Sequence, residues 1–170
     1  VSLLAEVRKL HDLSQRLSQD ADNLAKALKG DTKQQGNWGE VILEKVLERS
    51  GLVKGAEYNT QVLTQNVDNA LIRPDVVIYL PDNKHLIVDA KVSLLAYERC
   101  MGCDDELERS KYLTAHLSSV RSHIRILAEK KYETAQGLMT PDFVLLFMPI
   151  EPAFSLAIQS DAELFNFAWE

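Results

Sequence analysis

The 170-residue chain has no run of 18 or more apolar residues and no charged-then-apolar leader. A bilayer-spanning helix and a cleaved signal peptide are thereby excluded within it. Cysteine is scarce: the only two form Cys100-Met-Gly-Cys103. A tetrahedral zinc needs four ligands, and no second pair exists. His116 and His123, the nearest imidazoles, fall on what reads as a different helix, so two reduced thiols are the expectation. Net positive charge is also lacking. A charge of −6 and a pI near 5.3 argue against a surface that binds polyanions everywhere. Internal repeats and low-complexity segments are absent as well.

What remains is the composition of an ordinary globular protein, 46% apolar and 26% charged. The chain begins at Val1 rather than methionine and stops at Trp169-Glu170 inside a helix-like pattern. A fragment of a longer protein, truncated at its C-terminus, is therefore expected. Cytoplasmic residence is the expectation, and a membrane anchor upstream stays open. Charge is unevenly spread: between Arg109 and Lys131 six basic residues face one acidic residue, Glu129. This stretch is the best candidate for touching phosphates, with a solvated helix face as the alternative.

Residues 1–30 carry apolar positions at alternating steps of four and three: Leu3, Val7, Leu10, Leu17, Ala21, Leu24 and Leu28, broken at Ser14. The spacing predicts the end of a longer coiled coil that promotes homo-oligomers, or else a long helix packed on its own domain. Gly30 to Gly36 reads as a helix stop and polar linker, and a second domain is expected over 31–170. Asn37 is expected to cap a helix from Trp38 to about Ser50, ended by Gly51, with Trp38, Val41, Ile42 and Val46 as its apolar stripe. Strands are expected over 57–64, 71–80 and 84–91, then a helix over about 104–133. The apolar run Phe143–Met148 reads as a strand buried on both faces. A last helix begins after Pro152. A hairpin followed by a helical crossover to another strand makes an α/β fold with a mixed sheet.

Candidate chemistry lies in the hairpin. If its loop is Pro81 to Asn83, Leu80 pairs with Lys84 and Asp75 lies opposite Asp89. Period-two alternation then puts Asp75, Asp89 and Lys91 on one face, whereas a loop one residue shorter or longer would separate Asp75 from both. Two carboxylates set in apolar strands are costly without a cation, and Mg²⁺ takes hard oxygen ligands. A lysine beside them can orient an attacking water. The competing reading is a cross-strand salt bridge.

Arg73-Pro74-Asp75, thirteen residues, then Asp89-Ala90-Lys91 resembles the PD-(D/E)xK nuclease motif. Together with Gly36-Asn37-Trp38-Gly39-Glu40 and Met148-Pro149-Ile150-Glu151-Pro152, it resembles the bacterial RmuC family of DNA recombination proteins over roughly residues 20–170. The resemblance implies a restriction-endonuclease-like αβββαβ core behind a coiled coil. It also implies DNA cleavage dependent on Mg²⁺ or Mn²⁺, and restraint of rearrangements at inverted repeats. Asp75 and Asp89 would ligand the metal and Lys91 would orient the nucleophile. Glu40, on the first core helix, matches an acidic position that often completes such sites; it shares a helix side with Leu43 and Leu47. Glu40, Glu44 and Glu48 alternatively form an acidic solvent stripe. Glu151 could approach the site or serve only as a turn residue, and His116 and His123 read as packing or surface residues. Arg73, Lys111, Arg121 and Arg125 are the expected DNA contacts. The rival function is a non-catalytic module that binds DNA or a partner.

Overall fold

A computed structural model describes residues 3–27, 32–90 and 93–170. Helix α1 (Leu3–Ala27) precedes α2 (Thr32–Arg49). Leu4, Val7 and Leu10 of α1 are exposed, and Leu17 is half-buried. Leu28, at the end of the expected heptads, lies outside the described residues.

The second helix corrects two expectations. It starts at Thr32 rather than after an Asn37 cap, so 32–36 is helix and not linker. Gly36 and Asn37 are poor helix formers. Burial of Gln35 and Trp38 at the start of the packed face outweighs that weak preference. The buried face runs through Gln35, Trp38 and Ile42 at steps of three and four, and through Leu43 and Leu47 beside them, while Val41 points outward. Trp38 and Ile42 pack with Leu94, Tyr97 and Ile150; Leu43 and Leu47 pack with Tyr58, Val76 and Val88. The end of α2 is as expected. Gly51, at φ +89°, donates to the Glu48 carbonyl, and the Leu52 N–H reaches back to the Leu47 carbonyl, both hydrogen bonds of a Schellman cap.

Four strands form the main sheet, in the order β1-β4-β5-β6. These are β1 (Tyr58–Thr60), β4 (Val76–Leu80), β5 (Lys84–Ala90) and β6 (Leu145–Phe147). The first two pairings are antiparallel and the last is parallel, so the sheet is mixed. The expected strand over 71–80 is divided. Residues Leu71–Ile72 form β3, which pairs with β2 (Thr64–Gln65) in a separate two-stranded sheet. Buried Pro74, which has no N–H to give a ladder, stands at the break.

Leu80 pairs with Lys84 and Val76 with Val88, the register that a three-residue loop requires. The loop, Pro81–Asn83, is a 3₁₀ turn in which Asp82 and Asn83 adopt positive φ, a conformation these side chains tolerate. Alternation divides the hairpin between two layers. Val76, Val88 and Ala90 pack under α2; Val77 and Ile87 pack under Leu127 and Tyr132.

Two helices link β5 to β6. Helix α3 (Leu95–Met101) has no counterpart in the sequence reading. Helix α4 (Glu106–Lys130) is capped by Asp105, whose side chain accepts from the Glu108 N–H at 2.9 Å. The last strand departs from expectation: β6 is three residues at the sheet edge, with Phe143 51% and Leu145 43% exposed. With these two side chains open to solvent, the run 143–148 is not buried on both faces. Helix α5 (Glu151–Ser160) begins one residue before Pro152, and α6 (Leu164–Trp169) follows it. Among the described residues no helix is long and apolar enough to cross a membrane.

Candidate functional site

The register fixes the site. Carried one residue past Val76↔Val88, it sets Asp75 opposite Asp89, on the sheet face that also carries Val77 and Ile87. Asp75 is held there by the Ala90 N–H, which donates to its Oδ2 at 2.8 Å. Glu40 arrives from α2. Gln61, just past β1, joins them: its Nε2 donates to Glu40 Oε2 at 2.9 Å and to Asp75 Oδ1 at 3.2 Å.

The electrostatics follow from crowding acids in a half-buried place. Burial, then the Asp89 charge, push the Asp75 carboxyl up to about 6, against the lowering effect of the Ala90 N–H. Burial also raises Glu40, partly offset by the positive charge of Arg73, with Asp89 pushing the other way. Asp89 is 4% exposed. Its carboxylate faces two side chains from the end of the helical crossover: Tyr132 Oη at 3.4 Å from Oδ1 and His123 Nε2 at 3.5 Å from Oδ2. Burial and the neighbouring Asp89 and Asp75 charges raise the Tyr132 phenol above its ordinary value.

Glu40, Asp75 and Asp89 are thus brought together. Lys91 lies outside the described residues. Gln61, His123 and Tyr132 were not singled out in the sequence as site residues. For His123 a signal existed: it is three residues past buried Val120 and four before buried Leu127, so it lies on the face of α4 turned toward the sheet. His116 is a packing residue, as expected, with Nε2 2.9 Å from the Ala153 carbonyl oxygen. Glu151 is exposed and accepts from the Ser155 hydroxyl at 2.9 Å.

The donor types suit a hard divalent cation, since carboxylate oxygens from α2, the β4 entry and β5 converge. Yet among the described residues no group of three His, Cys, Asp or Glu side chains is placed to hold an ion. The fit is therefore one of chemistry, with the Gln61 amide standing between Glu40 and Asp75.

The expected DNA contacts differ in their freedom. Arg73 is exposed beside the acids. Lys111 pairs with Glu108 at 2.9 Å on the surface of α4, and Lys131 pairs with Asp68 at 2.7 Å. Arg121 is engaged in the fold: its Nε and Nη2 donate to both Asp161 oxygens at 2.7 and 3.0 Å, and its guanidinium lies 4.6 Å from the Phe167 ring centre. Arg125 is exposed, 6.0 Å from the same ring. Cys100 and Cys103 are both free thiols, the first buried.

Comparison with known proteins finds relatives but no solved structure that matches. A DNA recombination protein RmuC homolog of Vibrio cholerae is 47% identical over 169 residues, covering 99% of this chain and 33% of that protein. A homolog of the same description from Yersinia pestis is 50% identical, covering 97% of the chain and 35% of the relative. The DNA recombination protein RmuC of Escherichia coli strain K12 is 48% identical, with coverages of 96% and 34%. The chain spans about a third of the length of these curated relatives. The model of the RmuC family matches residues 1–170. By that end-to-end match, and by near-half identity to relatives over almost all of its length, the chain belongs to the RmuC family.

Proposed function

We propose that this chain is the nuclease-like part of a DNA recombination protein, hydrolysing DNA phosphodiesters with Mg²⁺ or Mn²⁺ and limiting rearrangement at inverted repeats. The relatives' name supports the recombination context. The observation that carries the chemistry is the meeting of Asp75 and Asp89 across the hairpin, with Glu40 reaching them from α2 and the Asp75 carboxyl raised to about 6. Acids crowded in this way are what a cation site requires and what a structural hairpin would avoid. The order of α2, the hairpin, α4 and β6 agrees with a restriction-endonuclease-like core of the PD-(D/E)xK kind.

In this reading Asp75 and Asp89 hold the cation, Glu40 assists directly or through a water, and Lys91 orients the attacking water. A bound cation supplies charge neutralisation at the phosphate and a water of lowered pKa. Arg73, exposed at the rim, binds a backbone phosphate. Residues 1–30 join copies of the chain through a coiled coil, and the protein works in the cytoplasm.

Incubating the chain with single-stranded, duplex and hairpin DNA, with Mg²⁺ or with EDTA, tests this. Cleavage should require Mg²⁺ and disappear in Asp89→Asn. Lys91→Ala should still bind the cation but cleave slowly. No cleavage, together with no effect of Mg²⁺ on thermal melting, would overturn the reading in favour of a non-catalytic binding module.

A further inference from the structure

The acids carry the sequence signal, yet the side chain that links two of them is a neutral amide. Gln61 follows the last residue of β1. Its N–H donates to the Asp75 carbonyl at 3.0 Å, continuing the β1–β4 pairing one step past Thr60↔Val76. There its φ is +54°. Left-handed backbone costs a non-glycine residue on the order of 1–2 kcal/mol, and glutamine lacks the short side chain that lets Asn and Asp adopt it readily. Such a conformation persists where surrounding bonds hold it. Here they are the backbone bond to Asp75 and the two bonds from Nε2, 2.9 Å to Glu40 and 3.2 Å to Asp75. An amide nitrogen has two hydrogens, and each meets a different carboxylate.

We infer that Gln61 is the positioning residue of this acidic site: its carboxamide bridges Glu40 and Asp75 in the metal-free domain and yields both carboxylates when a divalent cation binds. The inference rests on the metal-site reading above. The amide nitrogen gives each of two groups of like charge a charge-assisted hydrogen bond, orienting them and offsetting their repulsion. The amide nitrogen, 2.9 and 3.2 Å from these oxygens, takes up the space that a cation held by both at roughly 2.1 Å would need. Bridge and cation therefore compete for the same carboxylates. This accounts for acids of the right type that do not form a ready-made ion-holding group.

The test is a set of thermal melts in EDTA and in saturating Mg²⁺, with Mg²⁺ dissociation constants from calorimetry. The proteins are wild type, Gln61→Ala, Gln61→Asn, Glu40→Gln, and Glu40→Gln combined with each Gln61 variant. In EDTA, Gln61→Ala should melt lower than wild type, and Glu40→Gln should largely erase the difference, because only one charge is then left to bridge. Gln61→Asn should also melt lower. It keeps the amide and eases the left-handed backbone but is too short to reach both acids, so a merely conformational role predicts the opposite sign. In Mg²⁺ the deficit should shrink, and Gln61→Ala should bind Mg²⁺ about fivefold more tightly, the equilibrium worth of one net hydrogen bond. Unchanged melting of Gln61→Ala in EDTA, or Gln61→Asn as stable as wild type, would overturn the bridge. Equal deficits with and without Mg²⁺, in a wild type that Mg²⁺ stabilises, would overturn the yielding step alone. A wild type indifferent to Mg²⁺ would overturn the metal reading and the yielding step together, leaving the EDTA comparison to judge Gln61 as a clamp.

Discussion

A carboxyl group with a folded-state pKa near 6 makes its own stability prediction. The Asp75 pKa is raised above that of the unfolded chain, chiefly by burial and then by Asp89. The folded domain therefore holds a proton that the unfolded chain has already lost. Stability from this source is complete below the ordinary carboxylate range, about 4, and is lost as pH rises through 6. The full shift corresponds to about 3 kcal/mol, and partial exposure brings it nearer 1–2 kcal/mol. Melts in EDTA should accordingly show a loss between pH 4 and 7. Asp89→Asn removes the second cause while keeping the side chain's size, so it should reduce this loss without abolishing it and stabilise the metal-free domain at pH 7. Parallel curves for wild type and variant, or a variant that melts lower at pH 7, would show that Asp75 and Asp89 do not repel. A cross-strand ion pair would then be the better description.

At the scale of elements, α2 and α4 are each fixed by contacts that a single substitution isolates. Gly51 ends α2 at φ +89°, and a Cβ there would meet nothing within 4 Å, so Gly51→Ala costs only backbone strain. The expected loss is about 1 kcal/mol by urea denaturation; no loss would mean that α2 does not end in this cap. Arg121 ties α4 to the segment after α5 through both Asp161 oxygens. Its hydrogen bonds hold the Asp161 carboxyl below its ordinary range, so their stabilisation is fully present above that range and is lost as pH falls below it, through the lowered folded-state value. Arg121→Ala should lower the melting temperature at pH 7, with a smaller effect in acid, whereas Arg125→Ala should leave melting unchanged and act, if at all, on the salt dependence of DNA binding. Equal melting of Arg121→Ala and wild type would free Arg121 for the DNA role that its charge suggests. What the sequence made legible follows the same division. The hairpin register was legible only on the condition that Pro81-Asp82-Asn83 is the whole loop; the structure has that loop, and the register brings Asp75 and Asp89 together. Gly51 marked its helix end because few residues adopt its φ. Helix α3, the early start of α2 and the edge position of β6 depend on tertiary packing, which local patterns do not carry. Gln61 and Tyr132 escaped notice because their neighbours are distant in sequence, and the pairing of Arg121, read as a DNA contact, was missed because a count of charge ignores the Asp161 that occupies it.

For the whole molecule one open apolar surface is α1. It spans 25 residues, and Leu4, Val7 and Leu10 are exposed at 67%, 56% and 67%. A solitary helix of this kind is marginal in water, because most helical stability comes from packing an apolar face. Steps of four and three place Val7 and Leu10 in one seam, which a second copy of the same helix would bury in alternating layers. Ser14 interrupts the seam, so the pairing is expected to be weak and dependent on concentration. Sedimentation should therefore show the chain associating at high concentration, with Leu10→Asp and deletion of residues 1–28 both giving monomers. The two changes separate causes: Leu10→Asp leaves every other residue in place, so a monomer there assigns association to the apolar seam rather than to the remainder of the domain. Removal of 1–28 should leave the melting of the remaining domain unaltered, because the exposed leucines of α1 do not contribute to its core. Monomers at all concentrations with α1 intact would rule out self-association through this helix, and a lower melting temperature after the deletion would mean that α1 packs on its own domain instead.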